Sequence, residues 1–337
     1  MFSRVVAALA LVVIAALLFV GTWPQLFGLQ RTMFVAQFVS LRGLTIAIAA
    51  IAIVVLLLLS MVSRSFRRFG SAVALVLVVF ALALLAILST RGFGDGSFQT
   101  KSSADLTAVE WNTLGGAPGS TVIAKLALDN DADIVSLPET TEETADAVAA
   151  VMQAAGHPMV VHTVAFNHIA QAKSTSVLIS TALGGYHLDS KAGTTSTLPT
   201  LVLRPNTGAG PVIVGVHVVA PQPSELTRWR SDLAFLKTTC SEQNVIMVGD
   251  FNATLDHFAG LGTASTSTVG NCTDAAVRSK NAALGTWPPA LPPLLGVPID
   301  HVLTTPNWRV SGMRVVQNLD GAGSDHRPIV VQLSPNG

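Results

Sequence analysis

The first 91 residues contain seven arginines and no Asp or Glu, and three uncharged apolar runs fill most of them. A bilayer core needs about 20 consecutive apolar residues in a helix. Runs over about 5–22, 44–62 and 71–89 meet that length, and the second holds Ile51-Ala52-Ile53-Val54-Val55 followed by four leucines. The first run follows Arg4 and so has the outline of a secretory leader, but no small-x-small cleavage site ends it and two further spans follow. It is expected to be retained, which makes residues 1–91 a three-helix, multi-pass membrane anchor. Short loops rich in Lys and Arg stay cytoplasmic. The stretch Ser63-Arg64-Ser65-Phe66-Arg67-Arg68-Phe69-Gly70 therefore predicts a cytoplasmic loop. Arg4 lies on the same side, and everything after Arg91 lies outside. Arg31 and Arg42 fall on the outer side in this scheme, against the rule.

Beyond Arg91 the charge reverses. Residues 92–337 hold all 20 acids and the other 13 Lys and Arg, a formal charge of −7 in a chain that is neutral overall. So sharp a split predicts two environments. Residues 92–103, rich in Gly, Ser and small polar groups, read as a flexible linker. Residues 104–337 are long enough for one large domain with its own core. Both cysteines, Cys240 and Cys272, lie in this outer half. A pair in an oxidising compartment predicts one disulfide, worth about 3 kcal/mol from chain entropy; two separate thiols are the alternative.

Apolar runs of strand length alternate with helical patterns. Strands are expected over 106–111, 133–137, 176–179, 200–203, 212–216, 245–248, 299–303, 309–316 and 329–333. Helices are expected over 121–129, 142–155 and 224–239, the last opened by Ser224 as N-cap. Many strands with few helices argue for two packed sheets with helices outside, although periodicity alone does not separate that from one open sheet.

The acids, amides and histidines gather at the ends of these strands. Trp111-Asn112 ends the first, Pro138-Glu139 follows Ile134-Val135-Ser136-Leu137, and His217 follows Val212 to Val216. Gly249-Asp250-Phe251-Asn252 follows Val245 to Val248, Asp300-His301 precedes Val302-Leu303, and Ser324-Asp325-His326-Arg327-Pro328 precedes Ile329. Strand ends at one rim can converge on a single cleft. There they offer carboxylates for a hard divalent cation, amides for a phosphate oxygen and imidazoles for proton transfer. No HExxH or CxxC is present, which argues against zinc. Taken singly, each piece has an ordinary explanation as a turn, a cap or a core histidine.

Six such segments in this order resemble the endonuclease/exonuclease/phosphatase superfamily of deoxyribonuclease I-like proteins, in a membrane-anchored form of bacterial type. The resemblance spans about residues 104–334 and implies a four-layer α/β/β/α sandwich, preceded here by the three transmembrane helices. It also implies Mg²⁺, with Mn²⁺ or Ca²⁺ as alternatives, held by Glu139 with Asn112 and assisted by Asp325. Asp250 and Asn252 orient the nucleophile and bind phosphate, His217 bonds a phosphate oxygen, and His326 is the general base or phosphate-protonating group, oriented by Asp300. Pro138 stands where many members have Gln.

The expected activity is hydrolysis of a phosphoester, of a membrane lipid or a lipid-linked envelope compound, on the extracytoplasmic face. Alternatives are a surface nuclease, disfavoured by the −7 charge because nucleic acid normally needs a basic footprint, and a non-catalytic binding protein on the same fold. His168 and Trp287 are candidate substrate contacts at the cleft mouth. The Pro-rich run 286–298 reads equally as a wall over the cleft, with Trp287 and Leu294 meeting substrate, or as a surface loop packed on its own domain.

Overall fold

The computed structural model describes residues 2–63, 66–94, 96–167 and 169–336. It opens with α1 (Phe2–Thr22), α2 (Val35–Ser40), α3 (Arg42–Val62) and α4 (Arg67–Arg91). The three long helices, α1, α3 and α4, are long and apolar enough to cross a membrane. Ala49, Phe80 and Leu84 pack between them. Leu17, Ile51, Leu58 and Leu82 stay exposed, an apolar surface that suits lipid rather than water. All three helices extend beyond the expected spans, α1 back to Phe2, α3 back to Arg42, and α4 from Arg67 to Arg91.

Among the described residues twelve strands follow: β1 (Leu106–Glu110), β2 (Ile134–Pro138), β3 (Met159–Ala165), β4 (Ser174–Ser180), β5 (Tyr186–Leu188), β6 (Leu201–Pro205), β7 (Val212–His217), β8 (Val245–Asp250), β9 (Thr273–Asp274), β10 (Asp300–Thr304), β11 (Trp308–Val315) and β12 (Ile329–Pro335). They form two six-stranded sheets, ordered β11-β12-β1-β2-β4-β3 and β5-β6-β7-β8-β10-β9. Side chains alternate between the faces of a strand, and here both faces are covered. On β8, Ile246 and Val248 enter the core between the sheets, while Val245 and Met247 meet the outer helix. That helix is α7 (Leu226–Thr239), packed through Trp229, Leu233 and Leu236. Over the other sheet lie α5 (Ser120–Asp129) and α6 (Glu142–Ala154), contributing Ile123, Ala127, Val148 and Met152 to a third core. The result is four layers, helix, sheet, sheet and helix. Two one-turn helices, α8 (Leu255–Phe258) and α9 (Ala275–Arg278), complete the set.

Three strands escape the apolar pattern. β5 and β9 are two or three residues long. β3 is an edge strand with almost every residue only half-buried, so His162 and Thr163 are tolerated within it. Ser224 does not cap α7; the helix begins at Leu226, with Glu225 at the cap position and no side-chain cap bond. The stretch expected as a flexible linker is pinned to the domain. Gly94 N–H donates to Lys280 O at 2.7 Å, Gln99 N–H to Ser311 O at 2.8 Å, and Gln332 Nε2 to Gln99 O at 3.1 Å. Cys240, at the end of α7, is bonded to Cys272 with their Cα atoms 5.9 Å apart.

Candidate active site

Strand pairing gathers the polar segments. β1 and β2 run parallel and finish side by side, delivering Asn112 and Glu139 just beyond their ends. β7 and β8 are also parallel, with His217 opposite Asp250. β10 is antiparallel to β8, so its first residue, Asp300, lies opposite Asp250 as well. β12 is antiparallel to β1 with Ile329 opposite Glu110, which sets the entering segment Ser324–Pro328 over the same rim. One edge of each sheet thus supplies one wall of a cleft.

Contacts across the cleft are short. His326 Nδ1 lies 2.9 Å from Asp300 Oδ2 and 3.1 Å from Oδ1. Asn112 Nδ2 donates to Glu139 Oε1 at 3.1 Å and to Asp250 Oδ2 at 3.2 Å, so this amide links acids from the two sheets. Asn252 Nδ2 donates to Asp250 Oδ2 at 3.0 Å and to Val218 O at 2.9 Å. Asp250 is therefore held by both amides. His217 is fully buried, with Thr175 Oγ1 3.1 Å from its Nδ1. Among the described residues its Nε2 has no hydrogen-bond partner; it lies 4.0 Å from Glu139 Oε1. Glu139 (φ 55°) and Asn252 (φ 44°) occupy the left-handed region, which costs non-glycine residues energy and persists where the surroundings enforce it, often at functional sites.

The electrostatics are those of crowded acids. Burial first, then the Asp300 charge, push the Asp250 carboxyl up to about 7. Burial, Asp300 and Asp250 hold Glu110 well above its usual range. Glu110 is completely buried and stands near Asp300, and among the described residues neither of its oxygens reaches hydrogen-bonding geometry with a partner. Burial also raises Glu139, against the pull of Asn112 and His326. Burial alone lowers an imidazole, but Asp300, Asp250 and Asp325 more than offset that and bring His326 up to about 10. His217, by contrast, falls to about 3 through burial and then repulsion from His326, so it is neutral at neutral pH. Thr175 Oγ1 bonds the ring at Nδ1, and Nε2 is turned toward Glu139.

This donor set fits a hard divalent cation. Ligand atoms of Asp250, Asp300 and His326 lie within 4.8 Å of one another, and Glu139, raised by its own burial, feels the charges of Asp325 and Asp300. Carboxylates in excess of nearby cationic groups favour a bound positive ion over their own protonation.

Asp325 is only half-buried and accepts from Trp287 Nε1 at 3.2 Å, so the Pro-rich run meets the cleft through Trp287. Pro289 and Leu291 of that run are held against the domain. Arg327 binds Asp320 at 2.7 Å and donates to Pro289 O at 2.9 Å and Leu291 O at 2.7 Å. His168 lies outside the described residues. His301 is turned away, between Asp274 Oδ2 at 2.6 Å and Ala253 O at 2.9 Å. Three participants were not singled out from the sequence. Glu110 stands two residues before Asn112 and so shares its face, a signal the strand period carries. Ser324 Oγ donates to Asn112 O at 2.6 Å and accepts from His326 N–H at 3.0 Å. Thr175 had no local signal; only the pairing of β4 with β2 brings it to His217.

A two-sheet sandwich with acids, amides and a histidine pair between the sheet edges defines a deoxyribonuclease I-like protein. The chain belongs to the endonuclease/exonuclease/phosphatase family, whose model matches residues 109–326. Members of this family are phosphoester hydrolases. Among solved structures it is similar to the endonuclease/exonuclease/phosphatase from Bacteroides vulgatus, at 16% identity and a TM-score of 0.52, covering 70% of this chain and 100% of that one. It is also similar to D. rerio TDP2 complexed with single strand DNA product, at 15% identity and a TM-score of 0.53, covering 69% and 100%. The family protein from Leptotrichia buccalis matches at 13% identity and a TM-score of 0.52, covering 68% and 99%. At these identities the likeness speaks for the fold alone. No curated protein matches the sequence.

Proposed function

We propose that the chain is a divalent-metal-dependent phosphoester hydrolase of the cell membrane, its cleft on the extracytoplasmic face and its substrate a membrane lipid or lipid-linked envelope compound. The observation that carries the chemistry is the His326–Asp300 pair standing opposite the Glu139–Asn112–Asp250 chain of contacts. Glu139, with Asn112 and Asp325, would hold the metal, with Mg²⁺ first and Mn²⁺ or Ca²⁺ as alternatives. When bound, a divalent ion polarises a phosphoryl oxygen and neutralises charge that grows on it.

The protein's own groups divide the remaining work. Asp300 fixes the His326 ring through Nδ1, leaving Nε2 to exchange a proton with water or a phosphate oxygen. The carboxylates around it hold a proton on His326 at neutral pH, and a bound cation that offset their charge would lower it toward the range a base needs. His217 Nε2, unpartnered and neutral, donates to a phosphate oxygen as charge develops. Asn112 and Asn252 both donate to Asp250, which aims its carboxyl and favours the ionised form against the rise imposed by burial.

The location rests on Arg67 and Arg68 at the start of α4, at the end of the helical bundle remote from the domain, and on the positive-inside rule. Arg64, in the same loop, lies outside the described residues. The nuclease reading is favoured by one fact only, that a protein of this fold was crystallised with a DNA product; the −7 charge of residues 92–337 speaks against it. The test is the full chain in vesicles, assayed on phospholipid, lipid-linked sugar, plasmid DNA and a soluble diester with each metal. Lipid-borne esters are expected to be cut best, and DNA as the best substrate would replace this reading with the second.

A further inference from the structure

Membrane anchors on enzymes are often simple tethers, and the composition of residues 92–103 suggests one. The contacts show something else. Thr22, Arg42 and Arg91, at the ends of three long helices, meet at a single buried acid of the domain, Asp256. Arg42 Nε and NH2 bind its two oxygens at 2.8 and 2.7 Å, Arg91 NH2 binds it at 2.8 Å, and Arg42 NH2 also donates to Thr22 O at 3.1 Å. Asp256 is held down at about 2: burial works to raise it, but Arg91 and Arg42 outweigh that. Arg31 and Arg42, anomalous as outer-side basic residues, are thus absorbed by the domain rather than left free in a loop. Arg31 NH1 donates to His257 O at 2.6 Å and Ala259 O at 2.9 Å, and Gln30 Nε2 donates to Ala259 O at 3.0 Å. Ala36 of α2 is fully buried in the core beneath α7, and its carbonyl accepts from His257 Nε2 at 3.0 Å. Gly43 approaches the Pro-rich run so closely that a Cβ there would lie 1.7 Å from Leu294 O.

The loops touched are those that begin or end at site residues. Gln37 reaches Pro221, four residues after His217. Asp256 and His257 follow Asp250 and Asn252 by a few residues, and Leu294 precedes Asp300. The anchor therefore grips the lip of the cleft built by the second sheet. Beside this junction Trp23 and Phe27 pack around Phe19, and Leu26, Phe27 and Phe34 are 66%, 52% and 78% exposed. Aromatic and apolar groups at the end of a spanning helix sit in the bilayer interface.

We propose that segment 23–41 and the outer ends of α3 and α4 form a clamp that fixes this lip of the cleft at the bilayer surface, so that the site takes phosphoesters on lipid head groups of the chain's own membrane in preference to soluble esters. Asp256 and Arg31 are positioning residues in this arrangement and touch no reacting atom. The inference rests on the hydrolase reading for its substrate, but its geometry is separately measurable.

The test uses the full chain in phosphatidylcholine/phosphatidylglycerol vesicles. Leu294→Cys carries an environment-sensitive fluorophore, Lys125→Cys on α5 serves as the distal control, and head-group and shallow acyl-chain nitroxide lipids are the quenchers. Quenching at 294 and none at 125 is expected, and absence of quenching at 294 overturns the clamp even if the enzyme is active. Arg31→Ala, with Asp256→Asn as the stronger variant, is expected to halve that quenching and raise the apparent KM for vesicle phospholipid at least fivefold. The rate on soluble bis(p-nitrophenyl) phosphate should stay within twofold of the wild type. An equal loss on both substrates overturns the proposal, because it marks general damage rather than lost placement. Complete inactivity of the wild type on every ester would sink the hydrolase reading, while the quenching result would still decide the placement.

Discussion

His326 Nδ1 stands 2.9 Å from Asp300 Oδ2, and the two residues belong to different sheets. His326 leads into β12 of the first sheet and Asp300 opens β10 of the second. The proton-transfer pair is completed only when the sandwich closes, as is the Asn112–Asp250 contact beside it. Any change in the packing between Ala108, Ile134, Val248 and Val302 moves one half of the pair against the other.

Loss of this pair should therefore remove proton transfer and little else. His326→Ala is expected to lower kcat by about 10²–10⁴, with substrate KM changed only a few-fold. Asp300→Asn, which removes the charge but keeps the shape, should lower kcat less. Steady-state rates on a soluble diester check both.

Glu139→Gln should weaken the metal more than the fold. The concentration of Mg²⁺ or Mn²⁺ for half-maximal rate is expected to rise by about tenfold or more. Asn112→Ala, which removes the amide holding Glu139, should cost about 10–100-fold in metal affinity or activity, as groups that orient metal ligands do. Calorimetric metal titration of both variants reads this directly.

Acid should loosen the junction between anchor and domain. His257 is buried, accepts from Thr254 N–H through Nδ1 and donates to Ala36 O through Nε2, a pattern only the neutral ring satisfies. Burial brings it down to about 4. Below the usual imidazole value the unfolded chain takes up a proton that the native ring refuses. The stabilisation is therefore complete above about pH 6.5 and is lost as the pH falls toward 4. The difference in melting temperature between the wild type and His257→Gln should shrink across that window.

Reduction of the Cys240–Cys272 bond, or Cys240→Ser with Cys272→Ser, should cost about 2–4 kcal/mol of domain stability, seen as a lower denaturation midpoint with catalytic rates unchanged under native conditions. The bond ties α7 to the segment before β9, away from His326 and Glu139.

Much of this was legible in the sequence because strand period and strand-end chemistry are local. Both-face burial makes β2, β7 and β8 continuous apolar runs, and the acids and histidines mark where those runs stop. The expected site residues that fall within the described chain, Asn112, Glu139, His217, Asp250, Asn252, Asp300, Asp325 and His326, lie along the one rim. What was not legible depends on long-range pairing. β3 is a half-exposed edge strand with no apolar signature. Thr175 reaches His217 only through sheet order. The anchoring role of Asp256 is invisible until Arg42 and Arg91, 214 and 165 positions away in sequence, are brought to it. Hydropathy placed the helices but gave no sign that residues 23–41 pack into the domain core.

Metal-dependent phosphoester hydrolysis at the Glu139–His326 cleft can be measured outright. The most direct measurement is the initial rate of phosphodiester hydrolysis by the purified full chain, with Mg²⁺, with a chelator, and in Glu139→Ala and His326→Ala. Turnover is expected to need the metal and to fall by at least about a hundredfold in each variant. Turnover that persists undiminished with chelator and in both variants, or no turnover with Mg²⁺, Mn²⁺ or Ca²⁺ on any ester, would contradict it.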